Sequence, residues 1–225
     1  MESCLHLGRT ALPRVDRPEA YGEDVHFSEE LVETFVAELT RPGDVVLDPF
    51  LGFGTTVAVA ERYGRRGVGC EILPERVEYV RARCPTATVI AGDSRRLSEL
   101  LSDPVSLVVT SPPYMTAIDH PENPLSGYRT NDGDYATYLV ELQEVFAQVA
   151  QLMAPDGRVV VNVANIRLGD HVTWLAFDVA RVLSDVLTLE RDIVLCWPDP
   201  VPHFTNEYCL VFTAQGQGSS TSGAM

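Results

Sequence analysis

Four short apolar runs, each closed by a polar side chain, constrain this chain more than any other feature. They are DVVLD (44–48), GVGCE (67–71), ATVIAGD (87–93) and VSLVVT (105–110), and they deliver Asp48, Glu71, Asp93 and Ser111 at their ends. Stretches of helical period separate them. Ser28 is placed to cap a first helix, with Leu31, Val32, Phe35, Val36 and Leu39 on its stripe. Helices follow over 54–64, over 74–84 with Pro74 in the first turn, and in a short piece ending near Leu101. A long helix over 135–153 carries Leu139, Leu142, Val145, Phe146, Val149 and Leu152 on one face, and another spans 172–185. Further strands are expected at 157–165, 188–197 and 208–213. Alternation of this kind builds a mostly parallel sheet with helices on both faces. The last two strands have no helix between them and should form a C-terminal antiparallel hairpin at one end of a seven-stranded sheet. The expected fold class is α/β, in one domain. Ligands of such sheets sit beyond the carboxyl ends of the strands, so the four polar ends mark one site.

The two ends of the chain lack this pattern. Residues 1–25 hold Pro13, Pro18 and Gly22 without periodicity and are expected to form an irregular arm. The domain proper is expected over 26–214, followed by a polar, disordered tail over 215–225. No run of 18 apolar residues and no signal peptide is apparent, so a cytoplasmic protein with no membrane span is expected. Cys4, Cys70, Cys84, Cys196 and Cys209 are scattered and form no C-x-x-C pair. That favours reduced thiols over disulfides, and no metal site is expected. The formal net charge is −15, and all 17 basic residues are arginine. Such acidity argues against tight non-specific binding to a polyanion, so contacts to nucleic acid would rest on local arginines or on a partner.

DPFLGFGTT, from Asp48 to Thr56, joins the first strand of the domain to a helix. Gly52 and Gly54 let a backbone pass close to a ligand, but no third glycine of the dinucleotide fingerprint and no G-K-[ST] follows. A phosphate is therefore not the expected ligand. Glu71 ends the next strand, about 20 residues on, where an acid accepts from two ribose hydroxyls. Asp93 can accept from an adenine amino group, and Ile72 can pack on the adenine face. The set suits an adenosine without a pyrophosphate, with S-adenosylmethionine as the candidate. Capping of helix N-termini is the competing reading for the two acids.

The fourth run ends in SPPY, Ser111 to Tyr114. With DPFLGFGTT, SPPY and the preceding HFSEELVETFV, the chain resembles the S-adenosylmethionine-dependent DNA methyltransferases that modify exocyclic amines of cytosine (N4) or adenine (N6). The resemblance covers about Val25 to Thr213. It implies a Rossmann-like class I methyltransferase domain. It also implies that the helix entered by His26, Phe27 and Ser28 closes over the methionine end of the cofactor. The expected cofactor contacts are these three with Asp48, Pro49, Phe50, Gly52, Gly54, Thr55, Thr56, Glu71, Ile72, Asp93 and Ser94. Ser111, Pro112, Pro113 and Tyr114 are the expected catalytic residues. An aromatic amine must pyramidalise to attack a methyl sulfonium, and acceptors such as the Ser111 hydroxyl and the Pro112 carbonyl can hold its hydrogens meanwhile. Tyr114 can stack on a base taken out of its duplex. Serine at 111 is commoner, within this resemblance, in cytosine-N4 than in adenine-N6 enzymes.

Two stretches could read a substrate: 115–134, with His120, Tyr128 and Arg129, and 197–209. Arg95 and Arg96 lie just past a strand end. Either stretch could equally be a lid. DNA is favoured over RNA as the nucleic-acid partner. A homodimer or a separate recognition partner would supply what such small loops lack. An RNA-base methyltransferase of the same fold and an inactive cofactor-binding subunit remain as alternatives.

Overall fold

The computed structural model describes residues 3–8, 28–118, 121–198 and 203–216. Most of the expected arm, nearly all of the expected tail, and the candidate residues His26, Phe27 and His120 lie outside the described residues.

The strands are β1 Cys4–His6, β2 Val45–Asp48, β3 Arg66–Glu71, β4 Thr88–Ala91, β5 Val105–Thr110, β6 Met153–Leu168, β7 His171–Thr173, β8 Leu187–Cys196 and β9 Phe204–Ala214. The helices are α1 Glu29–Leu39, α2 Thr55–Arg62, α3 Pro74–Arg83, α4 Leu97–Leu100, α5 Tyr135–Leu152 and α6 Leu175–Leu183. All nine strands join one sheet in the order β1-β8-β9-β6-β5-β2-β3-β4, with β7 alongside β6. The run from β6 through β5 and β2 to β4 is parallel. β9 is antiparallel to both β6 and β8. The Rossmann-like methyltransferase fold is thus present, with the seven expected strands and two short ones beside them.

The two additions have local causes. β1 falls in the stretch expected to be irregular, and three residues are too few to show a period of two. It pairs in parallel with β8. β7 takes the first residues of the stretch expected as helix 172–185 and pairs back on the end of β6. α6 therefore starts only at Leu175.

The central strands bury both faces, as parallel strands under two helical layers must. On β6, Val159, Val161 and Val163 enter the core that holds Leu142 and Phe146 of α5 and Leu175 and Val179 of α6. Val160 enters the opposite core, with Leu31, Val32, Phe35 and Val36 of α1. Asp48, Glu71 and Ser111 consequently emerge side by side at the carboxyl edge, since β2 pairs with β3 on one side and β5 on the other.

Candidate active site

Asp48 is the most buried of the strand-end acids, at 3% exposure. Its Oδ1 accepts from the Phe50 amide at 3.0 Å and the Thr110 hydroxyl at 2.6 Å, and its Oδ2 from the Thr56 hydroxyl at 2.8 Å. Thr56 also donates to the Val109 carbonyl at 3.1 Å. The acid thus ties the β2 turn to the start of α2 and to β5. Burial raises its carboxyl to about 6, against the lowering effect of these three donors. The geometry places Asp48 and Thr56 in support of the turn, with Ser94 alongside them through its hydroxyl bond to the Pro49 carbonyl.

The turn itself is shaped by two glycines in the left-handed region, Gly52 at φ 53° and Gly54 at φ 82°. Their needs differ. A side chain at Gly54 would meet Val80 of α3 at 2.7 Å, so that glycine serves helix packing. At Gly52 the nearest atom to an added Cβ is the Phe50 carbonyl at 3.8 Å, which leaves space in front of the backbone. Thr55 opens α2 beside it.

Glu71 faces this space. Its Oε2 accepts from the Gly52 amide at 2.8 Å and its Oε1 from the Leu73 amide at 2.8 Å. The Ile72 amide also bears on this carboxylate, so of its roughly four acceptor sites about one or two remain for a diol. Burial raises the Glu71 pKa, opposed by the amides and by Arg76. Ser28 adds a second vacancy for hydrogen bonding. It sits at the N-cap of α1, but its hydroxyl makes no capping bond and is buried with no partner among the described residues. α1 leads into β2 through Thr40, which bonds Arg65 at the amino edge of β3, so Ser28 lies toward the carboxyl edge. An orphaned hydroxyl, an open glycine backbone and a half-satisfied acid fit the methionine, linker and ribose parts of S-adenosylmethionine.

Asp93 departs from expectation. It caps the short turn at Ser94 and holds Arg95 through contacts of 2.7–3.0 Å. Arg95 also bonds Glu141 of α5 at 2.7 Å. Burial acts to raise the Asp93 pKa, but Arg95 outweighs it and holds the carboxyl below its usual value. Arg95 is thereby held by two carboxylates of the protein itself. Arg129 also points elsewhere than expected, to Glu75 of α3 at 3.9 Å. The turn before it packs Gly127 against Ile72 and Leu73, and Tyr128 follows with φ 62°. This part of the 115–134 loop therefore packs against Ile72, the residue expected to face the adenine.

At the tetrapeptide, Ser111 donates to the Tyr114 hydroxyl at 3.4 Å, and Tyr114 donates to the Asn162 carbonyl at 3.4 Å. This orientation turns the Ser111 lone pairs away from Tyr114. The Tyr114 ring leans on Phe204 of β9, with centroids 5.8 Å apart, and burial pushes its phenol pKa up. The Pro113 carbonyl is held by the Tyr138 hydroxyl at 3.0 Å. Among the described residues no donor reaches the Pro112 carbonyl. Beneath Tyr114, Glu207 accepts from Asn162 at 2.8 Å and from the Trp197 indole at 2.6 Å, and burial raises its pKa. An open cleft of about 600 Å³ adjoins the tetrapeptide, lined by residues 115–118 and by Pro121, Gly133, Asp134 and Tyr135.

Tyr138, Asn162, Phe204 and Glu207 were not foreseen. Tyr138 falls between apolar positions of an amphipathic helix and reads as one more core aromatic. The other three belong to strands whose neighbours only the fold defines. Trp174 and Phe177, stacked at 5.9 Å and about half exposed, continue to Tyr208 at 5.6 Å, and Thr173 just before them accepts from the Ala117 amide of the cleft wall at 3.0 Å.

Part of the chain is similar to known proteins. Residues 14–82 match the model of a DNA methylase family, the N6/N4 type. The type II methyltransferase M.BglII of Bacillus subtilis is 44% identical over 52 residues, 23% of this chain and 14% of that protein. M.BamHI of Bacillus amyloliquefaciens is 46% identical over 56 residues, 23% of this chain and 13% of that protein. The chain thus aligns with less than a fifth of either relative, and SPPY lies beyond the family match. In fold, a TehB-like S-adenosylmethionine-dependent methyltransferase of Corynebacterium glutamicum superposes with a TM-score of 0.54 at 17% identity, covering 82% of this chain and 87% of that one. Residues 14–82 are thus similar to a DNA methylase family, within a chain whose fold is Rossmann-like.

Proposed function

We propose that this chain transfers a methyl group from S-adenosylmethionine to an exocyclic base amine of DNA, cytosine N4 in preference to adenine N6. The observation that carries the reading is a pair of acceptors, the Ser111 hydroxyl and the uncommitted Pro112 carbonyl, one strand away from the Gly52–Glu71 cradle. When bound, S-adenosylmethionine supplies an electrophilic methyl carbon. Glu71 and the Gly52 backbone orient the adenosine, and Ser28 lies toward the methionine. Ser111 and Pro112 accept the hydrogens of the amine as its nitrogen becomes tetrahedral and positive. Tyr114 keeps Ser111 turned as an acceptor and presents an aromatic surface to the base. The exposed Trp174 and Phe177, backed by the half-buried Tyr208, offer further stacking area to bases outside the pocket. Preference for cytosine rests on serine at position 111, by resemblance.

A tritiated-methyl transfer assay on DNA, bulk RNA and protein, with the product digested to nucleosides, tests this reading. The expected product is N4-methylcytosine in DNA. Ser111→Ala should lower turnover about 10²–10³-fold with an unchanged melting temperature, as loss of one electrostatic partner does elsewhere. Label confined to RNA or protein would overturn the substrate assignment, and full activity in Ser111→Ala would overturn the mechanism.

A further inference from the structure

Strands β1 and β8 pair with His6 opposite Cys196 and Cys4 opposite Val194. Side chains alternate across a strand, so Cys4 and His6 share one face of the sheet while Leu5 and Leu7 take the other. The packing follows this rule. Leu5, Leu7, Ile193 and Leu195 enter the core beneath α1. Cys4, His6 and Cys196 collect on the opposite face, the cysteines half-buried and the histidine exposed. The Cys4 Sγ lies 3.8 Å from His6 Nε2, and the ligand atoms of all three residues lie within 4.8 Å of one another. Both cysteines are thiols, not disulfide-bonded. Around tetrahedral zinc, bonds of about 2.3 Å to sulfur and about 2.0–2.1 Å to nitrogen set neighbouring ligands roughly 3.5–3.8 Å apart. The cluster reaches that spacing by moving side chains, not backbone.

We propose that Cys4, His6 and Cys196 form a zinc site that pins the N-terminal strand to the edge of the sheet. Two thiolates and an imidazole select zinc over the hard cations magnesium and calcium. The exposed histidine leaves a fourth coordination position open to water. Each thiol gives its proton to solvent as it binds. The site stands apart from the Gly52–Glu71 cradle, because β8, β9, β6 and β5 separate β1 from β2, while Trp197, next to Cys196, reaches Glu207 under Tyr114. Its task is structural. A strand of three residues makes few ladder bonds, and a metal that joins positions 6 and 196 closes a long stretch of chain. The other cysteines, Cys70, Cys84 and Cys209, are buried and act as small apolar side chains.

The test uses the whole chain, prepared in reducing buffer, stripped by a chelator and titrated with zinc chloride or with cobalt(II) chloride as an optical probe. The expected result is one zinc per chain, a melting temperature that climbs with zinc concentration, and a cobalt spectrum with thiolate charge-transfer bands and tetrahedral visible bands. Cys196→Ser and His6→Ala should each weaken zinc binding by more than about 100-fold, since loss of a partner that merely supports a ligand costs about 10–100-fold. Cys84→Ala should leave zinc binding unchanged. Failure to take up stoichiometric zinc, an octahedral cobalt spectrum, or affinity retained in Cys196→Ser would overturn the proposal. So would a Cys4–Cys196 disulfide that forms in preference to zinc uptake in reducing buffer.

Discussion

Asp48 has three donors and still titrates near 6, because burial costs the charged form more than three hydrogen bonds return. The sign of its effect on stability follows. The folded state holds the proton more tightly than the unfolded chain, whose aspartate has the usual value of 3.8. Stability contributed by the neutral acid is complete below that value and is lost as pH rises through about 6, by about 3 kcal/mol at most. Asp48→Asn keeps an acceptor for the Phe50 amide and removes the titration. Urea melts from pH 4 to 7 should therefore lose part of their pH dependence in Asp48→Asn, and an unchanged profile would show that the acid does not titrate in this range. Asp48, Glu71 and Asp93 were legible in the sequence because strand-end acids stand out against apolar runs. Their commitments were not. Asp93 looks as free as Glu71 in the sequence, yet its neighbour Arg95 reaches it within two residues, and Glu141, 46 positions away, fixes that arginine in place.

At the level of elements, the turn from β2 into α2 depends on where α3 lies. Gly54→Ala would put a Cβ at φ +82° and 2.7 Å from Val80. The left-handed backbone alone costs about 1–2 kcal/mol for a residue with a side chain, and the clash adds to it. Denaturant melts of Gly54→Ala, Val80→Ala and the double variant should show losses that are less than additive, because removing the valine relieves the clash but not the dihedral. Strictly additive losses would mean that the two residues do not compete for the same space. α6 makes a different prediction. Trp174 and Phe177 are 52% and 51% exposed, an unusual placement for two stacked aromatics. Phe177→Ala should weaken binding of a single-stranded oligonucleotide by about 1–3 kcal/mol while leaving the melting temperature alone. Unchanged binding by fluorescence anisotropy would remove these aromatics from the substrate surface. The helix was legible, but its exposed aromatics were not, since periodicity places residues on a stripe without saying what covers it.

For the molecule as a whole, charge sets the terms of association. The three arginines expected near the substrate are each paired: Arg95 with Asp93 and Glu141, Arg96 with Glu99, and Arg129 with Glu75. With a net charge of −15, few phosphates can be neutralised. The slope of log K against log salt should correspond to about three contacts or fewer, at about 0.9 per phosphate for duplex DNA. A steep slope would show that arginines other than these three reach the phosphates. The seven main strands and the layer order were readable from the alternation of apolar runs, whereas β1, β7 and the order across the sheet were not. That order brings Cys196 to Cys4 and Phe204 to Tyr114 from far along the chain. The insertion of β9 between β8 and β6 also has a consequence in time. On the ribosome, the cradle around Gly52 and Glu71 can assemble early, but Phe204 and Glu207 emerge after every other described strand. Until they arrive, Tyr114 lacks Phe204 and the edge of β6 that β9 covers is open, so the side of the site proposed for the cofactor completes before the side proposed for the base.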